Sequence, residues 1–437
     1  MEQSKHKKHL LVVGGPTASG KTAFAIRLAQ HFNTAIVSAD SRQFYREMNI
    51  GTAKPTEEEL AQAPHYLINS LSIEEEYSVG DFERDALQLL GRLFQKHDIV
   101  ILAGGSGLYI KALCEGLDEF PEVPAAIRQS VEQDYREKGL AFLQEELART
   151  DPDYYEEVDR QNPHRLIRAL AVFRASGQPF SSFRKAIIQP RPFTPIYLQL
   201  HWPRQELYRR INRRVEQMMA AGLAEEARTL FPRRRLTALQ TVGYQELFDH
   251  FDGKHSMEEA ITLIKRNTRR YAKRQLTWYR RDGHWKLLRP DDWSLALEYI
   301  DAVRTEGLRL RQVKTETGPP FLSAEDTTTI QVFRNEEEAS LLLYTEKKRE
   351  ALLQGPFLQP AAGEWTGKLL IHQAALLAGE RQLFVFSPID TQLFQRVCIM
   401  EDLGPEALPG WMEPHWLHVR KHNAEAKAIK LDLLPVP

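Results

Sequence analysis

The chain has 437 residues, of which 42% are hydrophobic and 27% charged, and its formal net charge is −1. These values describe a globular protein of about three domains and exclude a chain that is basic throughout. Cys114 and Cys398 are too few and too distant for a disulfide framework or a zinc site, and no run approaches the roughly 18 apolar residues of a membrane span, so a reducing cytoplasm is expected.

The first element is an apolar strand, Leu10 to Val13, preceded by Lys5, Lys7 and Lys8. Its four apolar residues are too short for a secretory segment, which needs about 7–15. The strand runs through Gly14 into Gly15, Pro16, Thr17, Ala18, Ser19, Gly20, Lys21 and Thr22, the pattern G-x-x-x-x-G-K-[ST], and then into a helical run from Ala23 to His31. Glycines let backbone N–H groups turn around phosphate oxygens, the lysine adds a point charge, and the threonine offers a hydroxyl to Mg²⁺ at a positive helix end. Two more apolar runs, 35–38 and 98–103, alternate with helical patterns. The fold class expected is α/β: a P-loop parallel sheet with helices on both faces. Ligands bind such sheets at the carboxyl ends of the strands, so Lys21, Asp40 and Ser106 should converge on one crevice.

From Glu115 to Pro195 the pattern changes to charged amphipathic helices, such as 125–138 and 140–150, which read as a helical insertion into a core formed by 1–114 and 196–312. Long helices are expected over 201–230 and 257–281. From Arg204 to Arg281 there are 18 Lys/Arg against 9 Asp/Glu, a basic block that suits a polyanion. Within it Lys265, Arg266, Arg269, Arg270, Lys273 and Arg274 form a stripe that should self-repel unless an anion covers it. Past Gly318-Pro319-Pro320 the balance turns acidic, 11 Lys/Arg against 16 Asp/Glu, and residues 319–437 read as a small additional α+β domain without a catalytic motif.

A P-loop NTPase normally holds Mg²⁺ with an acidic residue at a strand end. The strand 99–103 ends in Gly104-Gly105-Ser106-Gly107 instead, and the acidic residue at a strand end is Asp40. Asp40 suits either a metal ligand or a base facing an acceptor, so residue chemistry alone leaves a small-molecule kinase open, and a non-catalytic RNA-binding protein beside it.

The motifs in order narrow this. Gly15 to Thr22, the run Ser38 to Tyr45, Asn49 to Pro55, Pro64 to Leu67, Ala103 to Tyr109, Asn162 to Leu170, Val242 to Tyr244 and Lys273 to Arg280 resemble the bacterial tRNA dimethylallyltransferases over about residues 8–310. The resemblance implies transfer of the dimethylallyl group of dimethylallyl diphosphate to N6 of the adenosine just 3′ of the anticodon in certain tRNAs, with release of diphosphate. It implies that Gly15, Pro16, Thr17, Ala18, Ser19, Gly20, Lys21 and Thr22 grip the diphosphate with Mg²⁺ near Thr22, and that Arg214 assists. Asp40 would take the proton of the adenine amino group, and Ser106, where the family often has Thr, would orient Asp40 or touch the diphosphate. The implied tRNA contacts are Asp40, Ser41, Arg42 and Gln43; His164, Arg165, Leu166, Ile167 and Arg168; Gln240, Thr241, Val242, Gly243, Tyr244 and Gln245; and Lys273, Arg274, Gln275, Leu276, Thr277, Trp278, Tyr279 and Arg280. A monomer with no membrane partner is expected, and the resemblance does not extend to the acidic tail.

Overall fold

The structure, a computed structural model, describes residues 7–185, 187–314, 327–334, 337–344, 350–357, 369–370, 372–374, 376–377, 382–387, 398–403 and 427–433. Six strands build the first sheet: β1 (His9–Gly14), β2 (Ile36–Ser38), β3 (His65–Tyr66), β4 (Ile99–Ala103), β5 (Thr194–Leu200) and β6 (Lys286–Leu288). All their pairings are parallel and their order is β3-β2-β4-β1-β5-β6. Central β1 is buried at every position, as expected of a parallel strand covered on both faces. Leu11, Val13, Ile101, Ile196 and Leu198 join the helix Lys21–His31 in the largest core cluster.

Two long basic helices return to this sheet. The first, Arg204–Ala220, stops before Gly222, whose φ of 99° starts a separate helix, Leu223–Leu230, so the expected single helix over 201–230 is two. The second, Met257–Asp282, is set at its start by a reciprocal Ser256–Glu259 capping box and closed by Gly283 at φ 67°.

Contacts divide the chain into two compact units, and 79–84 with 111–192 form the smaller one. It is helical, with Ala125–Thr150 broken at Gly139 (φ 80°), Pro152–Glu157 and Pro163–Ser176 around Val131, Leu143, Leu147, Leu166 and Leu170. Arg174 ties its helices through Glu146 at 2.6 Å and Asp134 at 2.8 Å.

The larger unit includes the residues from 193 onward. Here a second sheet is built from β7 (Arg309–Lys314), β8 (Thr327–Arg334), β9 (Glu337–Tyr344), β10 (Glu350–Phe357), β11 (Gln382–Ser387), β12 (Cys398–Leu403) and β13 (Lys427–Leu433), ordered β12-β13-β11-β10-β9-β8-β7. Ile330, Val332, Leu369, Leu370 and Ala374 enter the same core cluster as Tyr299 and Ile300 of the helix Trp293–Glu306. The boundary expected at 318–320 lies outside the described residues. No helix among the described residues is long and apolar enough to cross a membrane.

Candidate functional site

The loop Gly15–Gly20 leaves β1 and enters the helix Lys21–His31 in a conformation that its residues dictate. Gly15 has φ 142°, and a Cβ there would sit 3.0 Å from the Leu200 carbonyl and from Ser19 Oγ. Ala18 holds the left-handed region at φ 62°. Three loop carbonyls are engaged by side chains. Lys21 Nζ donates to Pro16 O at 2.7 Å, Arg210 Nε to Ala18 O at 2.9 Å, and Trp202 Nε1 to Ser19 O at 2.9 Å. Arg210 lies in turn over the Trp202 ring, 4.4 Å from its centroid. The first N–H groups of the helix have no intrahelical partners, and its first two residues, Lys21 and Thr22, line the adjacent cleft.

A cleft of about 190 Å³ opens beside this loop, lined by Thr17 to Thr22, Asp40, Arg42, Gln43, Gly51 to Ala53, Gly105, Arg214, Thr241 to Gly243 and Gln275. Lys21, Asp40 and Arg214 thus share one cavity. Desolvation and then the Arg214 guanidinium push the Lys21 ammonium down to about 7, while Asp40 acts the other way. Arg214 is itself lowered by desolvation against the opposing pull of Asp40 and Glu59. It is half-buried beside the loop and is no freely solvated surface charge.

Ser106 sits next to Asp40 without reaching its carboxylate. Its Oγ accepts from the Ser41 N–H at 3.1 Å, while Asp40 Oδ1 accepts from the Arg42 N–H at 3.0 Å. Ser106 therefore fixes the backbone that carries Asp40. Gln275, expected among the tRNA contacts, is buried and joins two loops: its Oε1 accepts from Thr17 N–H at 2.9 Å and its Nε2 donates to Gly105 O at 2.9 Å.

The other expected contact residues divide by exposure. His164, Arg165, Arg168, Gln240, Gln245, Lys273, Arg274, Thr277 and Arg280 are exposed. Leu166, Ile167, Tyr244 and Tyr279 are buried, so their side chains serve packing. The basic stripe also needs correction as a uniform band. Lys265 pairs with Glu216 at 2.5 Å and Arg269 donates to Asn212 Oδ1 at 2.7 Å, which leaves Arg266, Arg270, Lys273 and Arg274 on the exposed side.

Motif reading missed the apolar wall and one aromatic residue. Ile211, Val215 and Met218 line the cleft from one helix, and Ile264, Thr268, Tyr271 and Gln275 from another. Spacings of four and three place each set on one helix face, a signal present in the sequence but indistinguishable there from ordinary core. Tyr271 is kept protonated first by burial and then by the Asp40 charge.

A family model described as IPP transferase matches residues 43–282, which leaves the loop 15–22 and Asp40 just outside its span. A tRNA dimethylallyltransferase of Cytophaga hutchinsonii is 49% identical over 295 residues, 68% of this chain and 97% of that relative. One of Christiangramia forsetii is 51% identical over 295 residues, 67% of this chain and 98% of the relative. Among solved structures, the full-length tRNA isopentenylpyrophosphate transferase of Bacillus halodurans matches with TM-score 0.51 and 35% identity, covering 68% of this chain and 97% of that one. A eukaryotic dimethylallyltransferase structure shares the fold with TM-score 0.57 at 24% identity. The chain belongs to the tRNA dimethylallyltransferase family of IPP transferases.

Proposed function

We propose that this chain transfers the dimethylallyl group of dimethylallyl diphosphate to N6 of the adenosine just 3′ of the anticodon of tRNA. The observation that carries this reading is that Lys21, Arg214 and Asp40 line one cleft at the start of the helix Lys21–His31, so that two basic groups, a helix N-terminus and a carboxylate meet there. A phosphate-binding loop is here used to hold a diphosphate that leaves. The allylic C–O bond breaks with its electron pair passing to diphosphate, and the N6 lone pair forms the new C–N bond. The N6 proton passes to the Asp40 carboxylate. Donors directed at the developing anion supply most of the rate enhancement, and removing one such donor costs about 10²–10³-fold. Lys21, Arg214, the N–H groups at the helix start and Ser19 Oγ are these donors. Ser19 Oγ is buried and has no hydrogen-bond partner among the described residues, which suits it to a phosphate oxygen.

Mg²⁺ fits the donor set. The Thr22 hydroxyl lines a pocket of about 50 Å³ together with Lys21 and Asp40, and a hard oxygen ligand of this kind is one Mg²⁺ takes together with phosphate oxygens, which leaves the Asp40 carboxylate to take the proton. Among the described residues no three His, Cys, Asp or Glu side chains gather as metal ligands, so the diphosphate oxygens would complete the coordination, with Thr22 as the protein's own ligand. The ion would neutralise charge on the departing diphosphate.

An adenine stacked in an anticodon loop must leave the stack to enter the cleft, at a cost of a few kcal/mol. Phosphate contacts from cations that are exposed, Arg165 and Arg168 in the helical unit and Lys273, Arg274 and Arg280 on the Met257–Asp282 helix, would offset that cost. The deciding experiment is incubation with tRNA and dimethylallyl diphosphate labelled in the prenyl group. Label in RNA is expected; ATP consumption without tRNA, and no label transfer, would point instead to a metabolite kinase.

A further inference from the structure

Glu226 belongs to none of the motifs, lies on the helix Leu223–Leu230, and does not line the cleft. Its carboxylate nevertheless accepts four hydrogen bonds. Oε2 accepts from the N–H groups of Asn49 at 3.0 Å and Ile50 at 2.8 Å. Oε1 accepts from the N–H of Gly51 at 3.0 Å and from the Tyr244 hydroxyl at 2.7 Å. Three consecutive amides converging on one anion form a nest, here filled by the protein's own carboxylate.

Both segments held in this way continue into the cleft wall. The 49–51 loop runs on to Thr52 and Ala53, and Tyr244 follows Thr241, Val242 and Gly243; Gly51 to Ala53 and Thr241 to Gly243 line the cleft. Gly51 is backed directly by the Tyr244 ring, since a Cβ on Gly51 would lie 2.5 Å from it. Ala53 is held at φ 46°, a conformation a non-glycine residue keeps only when its surroundings impose it. From the other side Gln43 Nε2 donates to Thr52 O and Ala53 O at 3.3 Å each, linking the loop to the segment that carries Asp40. An unbroken set of hydrogen bonds therefore runs from the Asp40 segment through the 49–53 loop and Glu226 to Tyr244.

We propose that Glu226 is a positioning residue, setting the separation between the Gly51–Ala53 wall and the Thr241–Gly243 wall and thereby the seat of the acceptor adenine, without contact with either substrate. The inference rests on the prenyl-transfer reading of the cleft. Displacing a reacting group by about 1 Å can cost on the order of 10²-fold, so a partial loosening of one wall should cost about tenfold.

Glu226→Gln keeps the shape but turns a donor toward the amides. The expected result is a fall of about tenfold in kcat/KM for tRNA, with KM for dimethylallyl diphosphate and binding of inorganic diphosphate within about twofold, and a Tm lowered by a few degrees as the carboxylate's hydrogen bonds are weakened. Tyr244→Phe removes one of the four bonds and should show the same split at about threefold. Equal loss of donor and acceptor parameters, or tRNA parameters within twofold of the wild type, overturns the proposal. If Glu226→Gln does not fold, the Tyr244→Phe split decides alone. A wild-type chain that moves no prenyl label overturns the reading of the cleft, and this proposal with it, before any variant is compared.

Discussion

The protein holds two lysines, Lys21 half-buried at the cleft and Lys286 fully buried, whose ammonium groups are pushed to the same place by the same first cause, yet the two serve different ends. Lys21 and Lys286 are each lowered by desolvation to about 7, and each has an aspartate that pulls it back, Asp40 for Lys21 and Asp292 for Lys286. Around Lys286 the protein supplies the partners itself. Its Nζ lies 2.9 Å from His372 Nδ1 and 3.3 Å from Gln373 Oε1, and His372 Nε2 lies 2.9 Å from Asp292 Oδ2. This order assigns the tautomer: Nδ1 accepts from the lysine and Nε2–H donates to the aspartate. Gln373 also accepts from Leu287 N–H at 3.0 Å and donates to Trp285 O at 2.9 Å, so the network fastens the segment around 372–374 to the edge strand β6. Around Lys21 the second influence is a cation, Arg214, and the group faces a cleft. A perturbed lysine is thus a functional signal only when its surroundings are left to be completed by a ligand.

The sharpest way to break this comparison is to remove each aspartate. Asp40→Ala should lower turnover by about 10²–10⁴-fold, the usual worth of a general base, with tRNA affinity within a few-fold. Asp292→Ala should instead destabilise the fold by about 3–5 kcal/mol, as loss of one member of a buried charged network does, while turnover of the folded fraction stays close to wild type. Paired measurements of labelled prenyl transfer and denaturant unfolding check both. If Asp292→Ala abolished chemistry in folded protein, the two pockets would not differ in kind.

Lys21→Met is expected to cost about 10²–10³-fold in turnover. Lys21 also carries a proton signature that the Lys286 network should lack. A bound diphosphate favours the charged ammonium, so near pH 8 binding should take up close to one proton; the uptake should fade below pH 7, where Lys21 is already charged. Calorimetry in buffers of different ionisation enthalpy reads this directly, and an equal uptake by Lys21→Met would remove Lys21 as its source.

How much of this was legible in the sequence differs between the two regions for a physical reason. The strand, loop and helix around Lys21 are contiguous, and their conformation follows from Gly15, Gly20 and the helix start, so eight residues suffice to read them. The approach of Asp40 to Lys21 followed from sheet logic, because both leave carboxyl ends of parallel strands. Gln275 bridging Thr17 to Gly105, Glu226 holding Asn49 to Gly51, and Lys286 meeting His372 span 258, 177 and 86 positions at their widest. No local spacing encodes such contacts, and a buried glutamine or glutamate looks like a surface one until the fold closes around it. The apolar wall of the cleft was visible as helical periodicity, but periodicity does not distinguish a face that packs on protein from one that lines a cavity.

A smaller effect should separate the cleft from the exposed face of the Met257–Asp282 helix. Lys273 is solvent-exposed, so Lys273→Glu should weaken tRNA binding by about tenfold at low salt and reduce the salt dependence of binding by about one phosphate contact, with diphosphate binding unchanged. Arg165→Glu, in the helical unit, should behave alike. Binding isotherms over a salt series check both, and parallel loss of diphosphate binding would merge surface and cleft into one site.

The finest test concerns Lys286 alone. Its folded value near 7 lies below the 10.5 of an ordinary lysine, so its burial destabilises the protein fully below pH 7, and that penalty fades as pH rises toward 10.5. The groups facing it leave this window clear. His372 is pushed to about 4, first by burial and then by Lys286, and stays neutral. Asp292 is lowered despite its burial by its hydrogen bond to His372 and stays charged. Relative to Lys286→Met, the wild type should therefore gain stability between pH 7 and pH 10, with a slope of up to about 1.4 kcal/mol per pH unit. Denaturant midpoints of the two proteins across that range measure the slope. A difference that stays flat would mean that the lysine keeps its proton in the fold, and that His372 and Gln373 solvate its charge well enough to cancel the burial.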